Sequence, residues 1–462
     1  MPNWESMKTG MIRHRSKWFL RTPNLNRNAL FPIMFHQSLV SVGARRREES
    51  QKVPYDVIVV GAGPAGSIAA HDCARAGLKT LLLEKFSLPR NKPCGGAVMF
   101  RGLHILNGQV PKSVVEQRIH GLRFMLSNGD AAEFKSDKML GITVFRNRFD
   151  EFLARRATRA GAELLEKARA TGVSLNREGV AVQLSDGREF ASQFVVGADG
   201  VNSTVAKCTG LRPERKDLNR VGLGMESDFH VGEDGVLKAT AGDPSILLLV
   251  PVENRVSYGW VFPKKEHLCV GIAGAAAHMQ RLRPIFDSFV AKMEKELGVR
   301  LKPTKRHVHF LGADGVTSKN VTTRVILVGD AAGFVDPMMG EGIAYAMRSG
   351  VHAARVITNA LESNRTDEGY LEWYQKLCYK EFGANFRLAE WAGLRGTSFT
   401  EFVLSRASGH PLASEILTML ARGEIGYSEI PQTVVKSLPR ELPRLLRRVV
   451  ESKVYSSPRK GS

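Results

Sequence analysis

The sequence predicts an α/β fold, α+β overall: a Rossmann-like domain, an inserted antiparallel-sheet domain and a C-terminal helical region. Three observations predict it. A strand, a glycine-rich turn, a helix and a second strand follow one another between Tyr55 and Glu84. Two later apolar runs, from Gln193 and from Arg324, each run into a turn with an Asp beside a Gly. Between those runs, residues 206–321 change to alternating apolar and polar positions, the period of half-buried strands.

The elements follow in order. Residues 1–52 are a basic extension without a sustained helix or strand period, and we read them as unstructured. A signal or transit peptide is the other reading, but the apolar run Ala29–Val42 contains Pro32 and His36 and makes a poor signal core. Order begins at Tyr55–Val60, a short β-branched run that suits a buried parallel strand. Gly61-Ala-Gly-Pro-Ala-Gly66 follows, then a helix over Ser67–Ala76 and a strand over Lys79–Leu83 closed by Glu84. Gly61 permits a tight turn, Gly63 lets a pyrophosphate approach the backbone, and Gly66 lets helix and strand pack closely. A phosphate then sits at the helix N-terminus, and Glu84 accepts hydrogen bonds from a ribose. No second GxGxxG follows a strand, so one unit implies one dinucleotide and no separate nicotinamide domain.

Charge and composition remove several function classes. The chain has 462 residues, ample for several sub-domains, and its formal charge is +20. Nine Lys/Arg against three Glu in residues 1–50, and eight against two in residues 431–462, leave +8 for the 380 residues between. The two tails, not the body, give the look of a nucleic-acid binder, and anionic lipid or an acidic substrate explains basic ends as well as nucleic acid does. Five irregularly spaced cysteines give neither a disulfide framework nor a zinc or iron–sulfur signature, so a reducing, cytoplasmic setting is expected. Twelve histidines without HxxxH spacing point to no metal site. No run of 18 apolar residues offers a transmembrane helix.

Further segments decide the cofactor. The strand from Gln193 ends at Asp199-Gly200, the strand from Arg324 at Gly329-Asp330, and Gly340-Glu-Gly342 opens an apolar helix to about Leu361. Each Asp either makes an ordinary turn or binds a polyol chain, while the next helix N-terminus faces a ring carbonyl. Together, GAGPAG with Glu84, GADGxxSxV and GDAAGFVDPxxGEG resemble the FAD-binding fold of the aromatic-hydroxylase type. Lys92-Pro-Cys-Gly-Gly-Ala97 and Tyr258-Gly-Trp-Val-Phe-Pro263 narrow the resemblance to the geranylgeranyl reductase family, over about Tyr55 to Asn359. Ala97 departs from the usual third glycine of that loop. The resemblance implies that Ala65, Glu84, Cys94, Gly95, Ala97, Arg146, Ala170, Asp330, Gly342 and Ile343 line the FAD.

It also divides the chain. Residues 53–205 become the first part of the FAD-binding domain, with 98–145 partly in the substrate domain. The antiparallel substrate domain then takes residues 206–321, the second FAD part 322–362, and a C-terminal helical region with a basic tail 363–462. In the substrate domain, Arg118–Leu126, Val221–Asp228, Ile246–Val252, Arg255–Phe262 and Leu268–Ala273 read as strands, with a helix over Pro284–Leu297.

Tyr258, Trp260 and Phe262 fall at i, i+2 and i+4 and so project to one strand face, as sheet core or as a cavity wall. The resemblance favours the wall, over the flavin. A polyprenyl tail gains about 0.8 kcal/mol per buried CH₂, and an aromatic face steadies a tertiary cation developing at an alkene. Cys94 reads as buried filler or as a functional contact, gate or proton relay, and Cys73, Cys208, Cys269 and Cys378 as core. From Pro443, Leu445, Leu446, Val449, Val450 and Val454 share a helix face flanked by arginines, for an anionic membrane surface or for the protein's own body.

The expectation is therefore an FAD-dependent reductase saturating a polyprenyl chain on a lipid precursor or quinone, fed by an external electron donor, NAD(P)H or a reduced carrier. It would be cytoplasmic, with a peripheral contact on the inner membrane face. A flavin monooxygenase or halogenase, or electron transfer to quinone, are the alternatives on the same scaffold.

Overall fold

The computed structural model describes residues 54–212, 221–252, 257–279, 281–302, 305–393 and 395–437. The expectations for residues 1–52 and for the basic helix from Pro443 lie outside the described residues. Tyr55–Val60 occupies the middle of a sheet ordered Val321–Thr322, Val325–Leu327, Glu189–Gly197, Tyr55–Val60, Thr80–Leu83, Glu163–Leu165. Four of the five pairings in this order are parallel, and only Val321–Thr322 pairs antiparallel. Val57, Ile58 and Val59 are fully buried, which is why this run is apolar without alternation. The hairpin of Ala170–Leu175 and Val180–Leu184 adds antiparallel strands against Glu189–Gly197.

The first helix runs Pro64–Arg75, a turn earlier than the Ser67 start expected from the sequence. Proline at the first helical position is favourable, because its fixed φ suits the helix and its missing N–H would be unpaired there. The helix packs on Ile343–Glu362 and Arg146–Arg159. At Gly350 a Cβ would stand 2.4 Å from the Ala65 carbonyl oxygen, so the two helices meet backbone to backbone.

A second sheet has seven strands, ordered His307–Gly312, Val221–His230, His267–Ala275, Ser257–Pro263, Ile246–Pro251, Gly121–Met125, Ala131–Lys135. Its outer face packs Val261, Val270 and Ile272 on Phe286, Phe289 and Met293 of the helix Leu282–Leu297. The expected strand Arg118–Leu126 is two strands. Val115–Ile119 joins Ala97–Met99 and Gly141–Val144 in a small third sheet. The chain then breaks at His120, whose N–H donates to the Ser245 carbonyl (2.8 Å), and Gly121–Met125 pairs parallel, not antiparallel, with Ile246–Pro251. A bipartite strand carries the same apolar run as a single one, so periodicity alone does not reveal the break.

Helices Glu368–Cys378, Ala384–Gly393, Gly396–Ala407 and Pro411–Arg422 follow the second segment of the parallel sheet. Cys73, Cys269 and Cys378 are buried, but Cys208 is exposed, a correction to its reading as core. It closes the short helix Thr204–Cys208 on the solvent side.

Candidate active site

One cavity of about 1020 Å³ runs between the parallel sheet and the inner face of the seven-stranded sheet. That volume is at the top of the range of ligand pockets. Gly61, Gly63, Ala65, Glu84, Cys94, Gly95, Ala97, Arg146, Ala170, Tyr258, Trp260, Phe262, Asp330, Gly342 and Ile343 all line it. Gly66 lies behind the wall, where a Cβ would stand 1.9 Å from the Gly61 carbonyl oxygen. Gly61 has φ +107 and a Cβ there would meet the Ala198 oxygen at 2.4 Å. At Gly63 the nearest atom to such a Cβ is Arg90 Nη2 at 3.8 Å. The first and third glycines are thus filled by backbone, and the second opens toward the cavity.

Two helix N-termini reach this end of the cavity, Pro64–Arg75 after Gly63 and Ile343–Glu362 after Gly342, and both N-caps are glycines, which have no side chain to cap the helix. Their first N–H groups and dipoles suit a phosphate and a ring carbonyl respectively. Glu84, 3% exposed, accepts from the Ala62 N–H (3.2 Å) and the Phe86 N–H (3.1 Å) and pairs with Arg90 Nε at 3.3 Å. Those contacts hold the carboxylate at the end of its strand, with lone pairs left for a ribose. Asp330 stands 3.5 Å from Lys92 Nζ and 3.6 Å from His309 Nε2. Burial opposes its ionisation, but Lys92 and then His309 outweigh that and hold the carboxyl well below the usual carboxylate range. Asp199, by contrast, accepts from the Ser203 hydroxyl and from the N–H groups of Thr204 (2.6 Å) and Val205 (3.2 Å). It is a turn and capping residue at the cavity edge. The glycines, paired helix ends, the buried Glu84 carboxylate and charged Asp330 fit FAD.

Sequence reasoning missed how Arg146 is held. Arg146 Nε and Nη2 donate to the two oxygens of Asp150, each at 2.8 Å, and Arg90 Nη1 donates to Oδ2, also at 2.8 Å. Asp150 is fully buried, so two guanidinium groups share one carboxylate beside the cavity. The i, i+4 spacing of Arg146 and Asp150 on Arg146–Arg159 was the available signal. Arg90, far off in sequence, gave none. The Cys94 loop leans on the aromatic strand: at Gly95 a Cβ would lie 2.7 Å from Phe262 Cδ2 and 3.0 Å from Trp260 Nε1. Cys94 Sγ accepts from the Gly96 N–H at 3.4 Å.

The inner sheet face grades from apolar to acidic. Leu122, Phe124, Leu247 and Leu249 form the apolar side of the cavity, and the helices Ala384–Gly393 and Gly396–Ala407 close over it with Leu388, Val403 and Leu404. Tyr258, Trp260 and Phe262 make the middle, with neighbouring rings 6.0 and 6.2 Å apart. The Tyr258 hydroxyl donates to the Met339 carbonyl at 2.7 Å. On the far side stand Glu226, Asp228, Cys269 and Lys264, a group with no sequence motif. Glu226, Asp228 and Cys269 bring their oxygen and sulfur atoms within 4.8 Å of one another. The Lys264 ammonium, fully buried, already pairs with Asp228, so the group is a hydrogen-bonded network with its own cation.

Residues 54–381 match the FAD binding domain family. The chain is 31% identical to the digeranylgeranylglycerophospholipid reductase of Methanococcus vannielii over 340 residues, covering 72% of this chain and 83% of that one. Among solved structures, a geranylgeranyl bacteriochlorophyll reductase-like protein from Thermoplasma acidophilum superposes with a TM-score of 0.69 at 24% identity, over 83% of this chain and 98% of that one. The halogenase PltM, in complex with phloroglucinol and FAD, superposes at 0.62 and 22% identity over 79% of this chain and 82% of that one. The two structures share the fold. The cradle described above and the match over most of the chain make this an FAD-binding flavoprotein oxidoreductase, and it belongs to the geranylgeranyl reductase family.

Proposed function

We propose that the protein saturates double bonds of a polyprenyl chain carried by a lipid precursor or quinone. The observation that carries this reading is the continuity of the cavity: the FAD cradle opens directly onto the aromatic strand and then onto an apolar channel under the C-terminal helices. Each buried CH₂ of a prenyl tail gains about 0.8 kcal/mol there, so a five-carbon unit contributes roughly 3–4 kcal/mol to binding. Bound FAD, once reduced by an external donor, supplies the hydride equivalent. The chain's own residues do the rest. Gly63, Glu84 and Asp330 hold the cofactor, the Cys94 loop and Trp260 present the alkene, and the apolar walls exclude water from it. Trp260 and Tyr258 face a developing tertiary carbocation with their π systems.

The test is single-turnover reaction of the reduced holoprotein with digeranylgeranylglycerophospholipid, without oxygen, analysed by mass spectrometry. Products heavier by steps of two mass units are expected. If the prenyl chain stays unreduced without oxygen, while an aromatic ring is hydroxylated with it, a monooxygenase replaces the reductase.

A peripheral membrane contact fits the same cavity. No helix of the described residues is long and apolar enough to cross a membrane. Trp391 and Val403, each 47% exposed, line the cavity on its outer side, and Phe402 beside them is 59% exposed. Arg395 stacks 3.4 Å over Trp391 and Arg406 5.2 Å over Phe402. Aromatic and basic groups together at an apolar opening suit the interface of an anionic bilayer. The holoprotein should sediment with vesicles of anionic phospholipid, and Trp391→Glu with Phe402→Glu should abolish this while leaving FAD bound. Equal sedimentation of the double variant would place the contact elsewhere.

A further inference from the structure

We propose that Glu226 is the proton donor of the reaction, an inference that rests on the prenyl-reductase reading. Reduction of an isolated alkene needs a proton as well as hydride. One alkene carbon takes hydride from the reduced cofactor and the other takes the proton of the Glu226 carboxyl. The π bond is lost, two C–H bonds form, the cofactor is oxidised by two electrons, and a carboxylate remains to be reprotonated from water.

The strand register puts Glu226 where this can happen. Glu226 stands opposite Gly271 on one side, and Trp260 stands opposite Gly271 on the other. All three belong to one row of the face that lines the cavity. Gly271 has no side chain to separate them, and a Cβ there would lie 2.1 Å from Trp260 Cζ2. The indole therefore fills the gap between its own strand and the acid. Glu226 itself is 5% exposed and lines the cavity. The Cys269 thiol donates to Glu226 Oε2 at 3.5 Å and reaches the Cys94 carbonyl at 3.8 Å, tying the acid to the loop expected against the flavin ring. The acid thus meets the cavity beside the aromatic strand, opposite the apolar channel. A prenyl tail in that channel points its reacting end toward it.

The surroundings also suit a group that gives up and regains a proton. Burial, and then the neighbouring Asp228 charge, push the Glu226 carboxyl up to about 7, against the pull of Lys264 and Cys269. An acid poised near the working pH is both protonated and able to release its proton. The other facing groups are poorer donors. The Cys269 thiol is held well above its usual range by burial and by Asp228. The Tyr258 hydroxyl is pushed up by burial and then by Asp336, and its proton is held by Met339. His307, opposite Glu226 on the edge strand, is lowered by burial and then by Lys305. Recharging has a route: Asp228 is 33% exposed at its side chain and pairs with the buried Lys264, which links solvent to the network.

Wild type, Glu226→Gln and Glu226→Asp are compared as holoproteins. The first measurement is infrared difference spectroscopy of the oxidised protein without substrate. A protonated-carboxyl band that titrates near pH 7 and is missing from Glu226→Gln is expected. The second is oxygen-free single-turnover reduction of digeranylgeranylglycerophospholipid. The wild-type rate should fall as pH rises through 7, because the protonated form is the reactive one. Glu226→Gln should be slower by on the order of 10²-fold, with a flat profile and unchanged FAD content. Glu226→Asp should be slower but keep the pH dependence, and it decides the matter if the Gln variant fails to fold. No titrating band, or an unchanged rate and profile in the variants, overturns the donor role alone. A wild type that shows the band but leaves the prenyl chain intact overturns the functional reading, and the donor role with it.

Discussion

Replacing Asp150 by Ala should destabilise the protein by roughly 3–5 kcal/mol, because it leaves the buried Arg146 and the partly buried Arg90 without their shared counter-charge. Arg146 and Arg90 both donate to this fully buried carboxylate, and neither can lose its proton to escape. Asp150→Asn keeps the shape but not the charge and should behave almost as badly. Chemical denaturation of the holoprotein checks both, and a loss under about 1 kcal/mol would mean that solvent or the cofactor compensates the arginines. Glu84→Ala, one step along the same network, should do less. It frees one contact of Arg90, which keeps Asp150, and removes the ribose acceptor, so FAD should bind roughly 1.5–3 kcal/mol more weakly. An unchanged FAD affinity would show that the acid does not reach the ribose.

The Asp150 network also sets an acid limit. Burial opposes ionisation of Asp150, and the Arg146 charge and hydrogen bonds, with those of Arg90, outweigh it and hold the carboxyl below its ordinary value. A carboxyl depressed in the folded state stabilises the protein above its unfolded value, near 4, and that contribution is lost as pH falls through the folded value. Glu226 acts in the opposite sense: its raised value makes folding less favourable as pH rises from about 4 toward 7. The two groups together favour mildly acidic conditions.

The cradle was legible because its glycines are dictated by backbone geometry. Gly61 needs a positive φ and Gly66 has a carbonyl where a side chain would be, and such constraints leave the same mark in any chain with this turn. Tyr258, Trp260 and Phe262 were legible as a stripe, since alternation on a strand is a local property. What the stripe touches was not legible. That Trp260 lies across Gly271 toward Glu226 depends on the long-range pairing of Val221–His230 with His267–Ala275, and a lone Glu on an alternating strand carries no signal of its own. The same holds for Arg90 and Lys92, which meet Asp150 and Asp330 only through the tertiary fold. The broken strand at His120 was missed for a related reason, because two strands in different sheets can share one apolar pattern.

Replacing Trp260 separates packing from electrostatics in the proposed chemistry. Trp260 is 8% exposed, wedged between Gly271 and Gly95, with Tyr258 and Phe262 on either side. Trp260→Ala removes this whole ring and should cost about 3–5 kcal/mol of stability, with weaker prenyl binding. Trp260→Leu retains much of the apolar area and loses the π face. If that face steadies charge at the alkene, the Leu variant should bind prenyl substrate nearly normally but reduce it more slowly, by about 2 kcal/mol or on the order of 30-fold. Both should retain FAD, since Gly61 and Glu84 follow strands of the parallel sheet and Gly66 lies in the helix between them, none of them on the strand of Trp260. Oxygen-free single-turnover rates over a range of substrate concentrations resolve binding from the chemical step. Should both variants reduce the prenyl chain as fast as wild type, the stripe would be sheet core that happens to face the cavity. The cation would then need another source of stabilisation, and Asp228, grouped with Glu226 and Cys269, is a carboxylate on that face. A slow Leu variant together with a slow Glu226→Gln variant would instead put hydride acceptance, charge stabilisation and proton delivery along one row of the sheet.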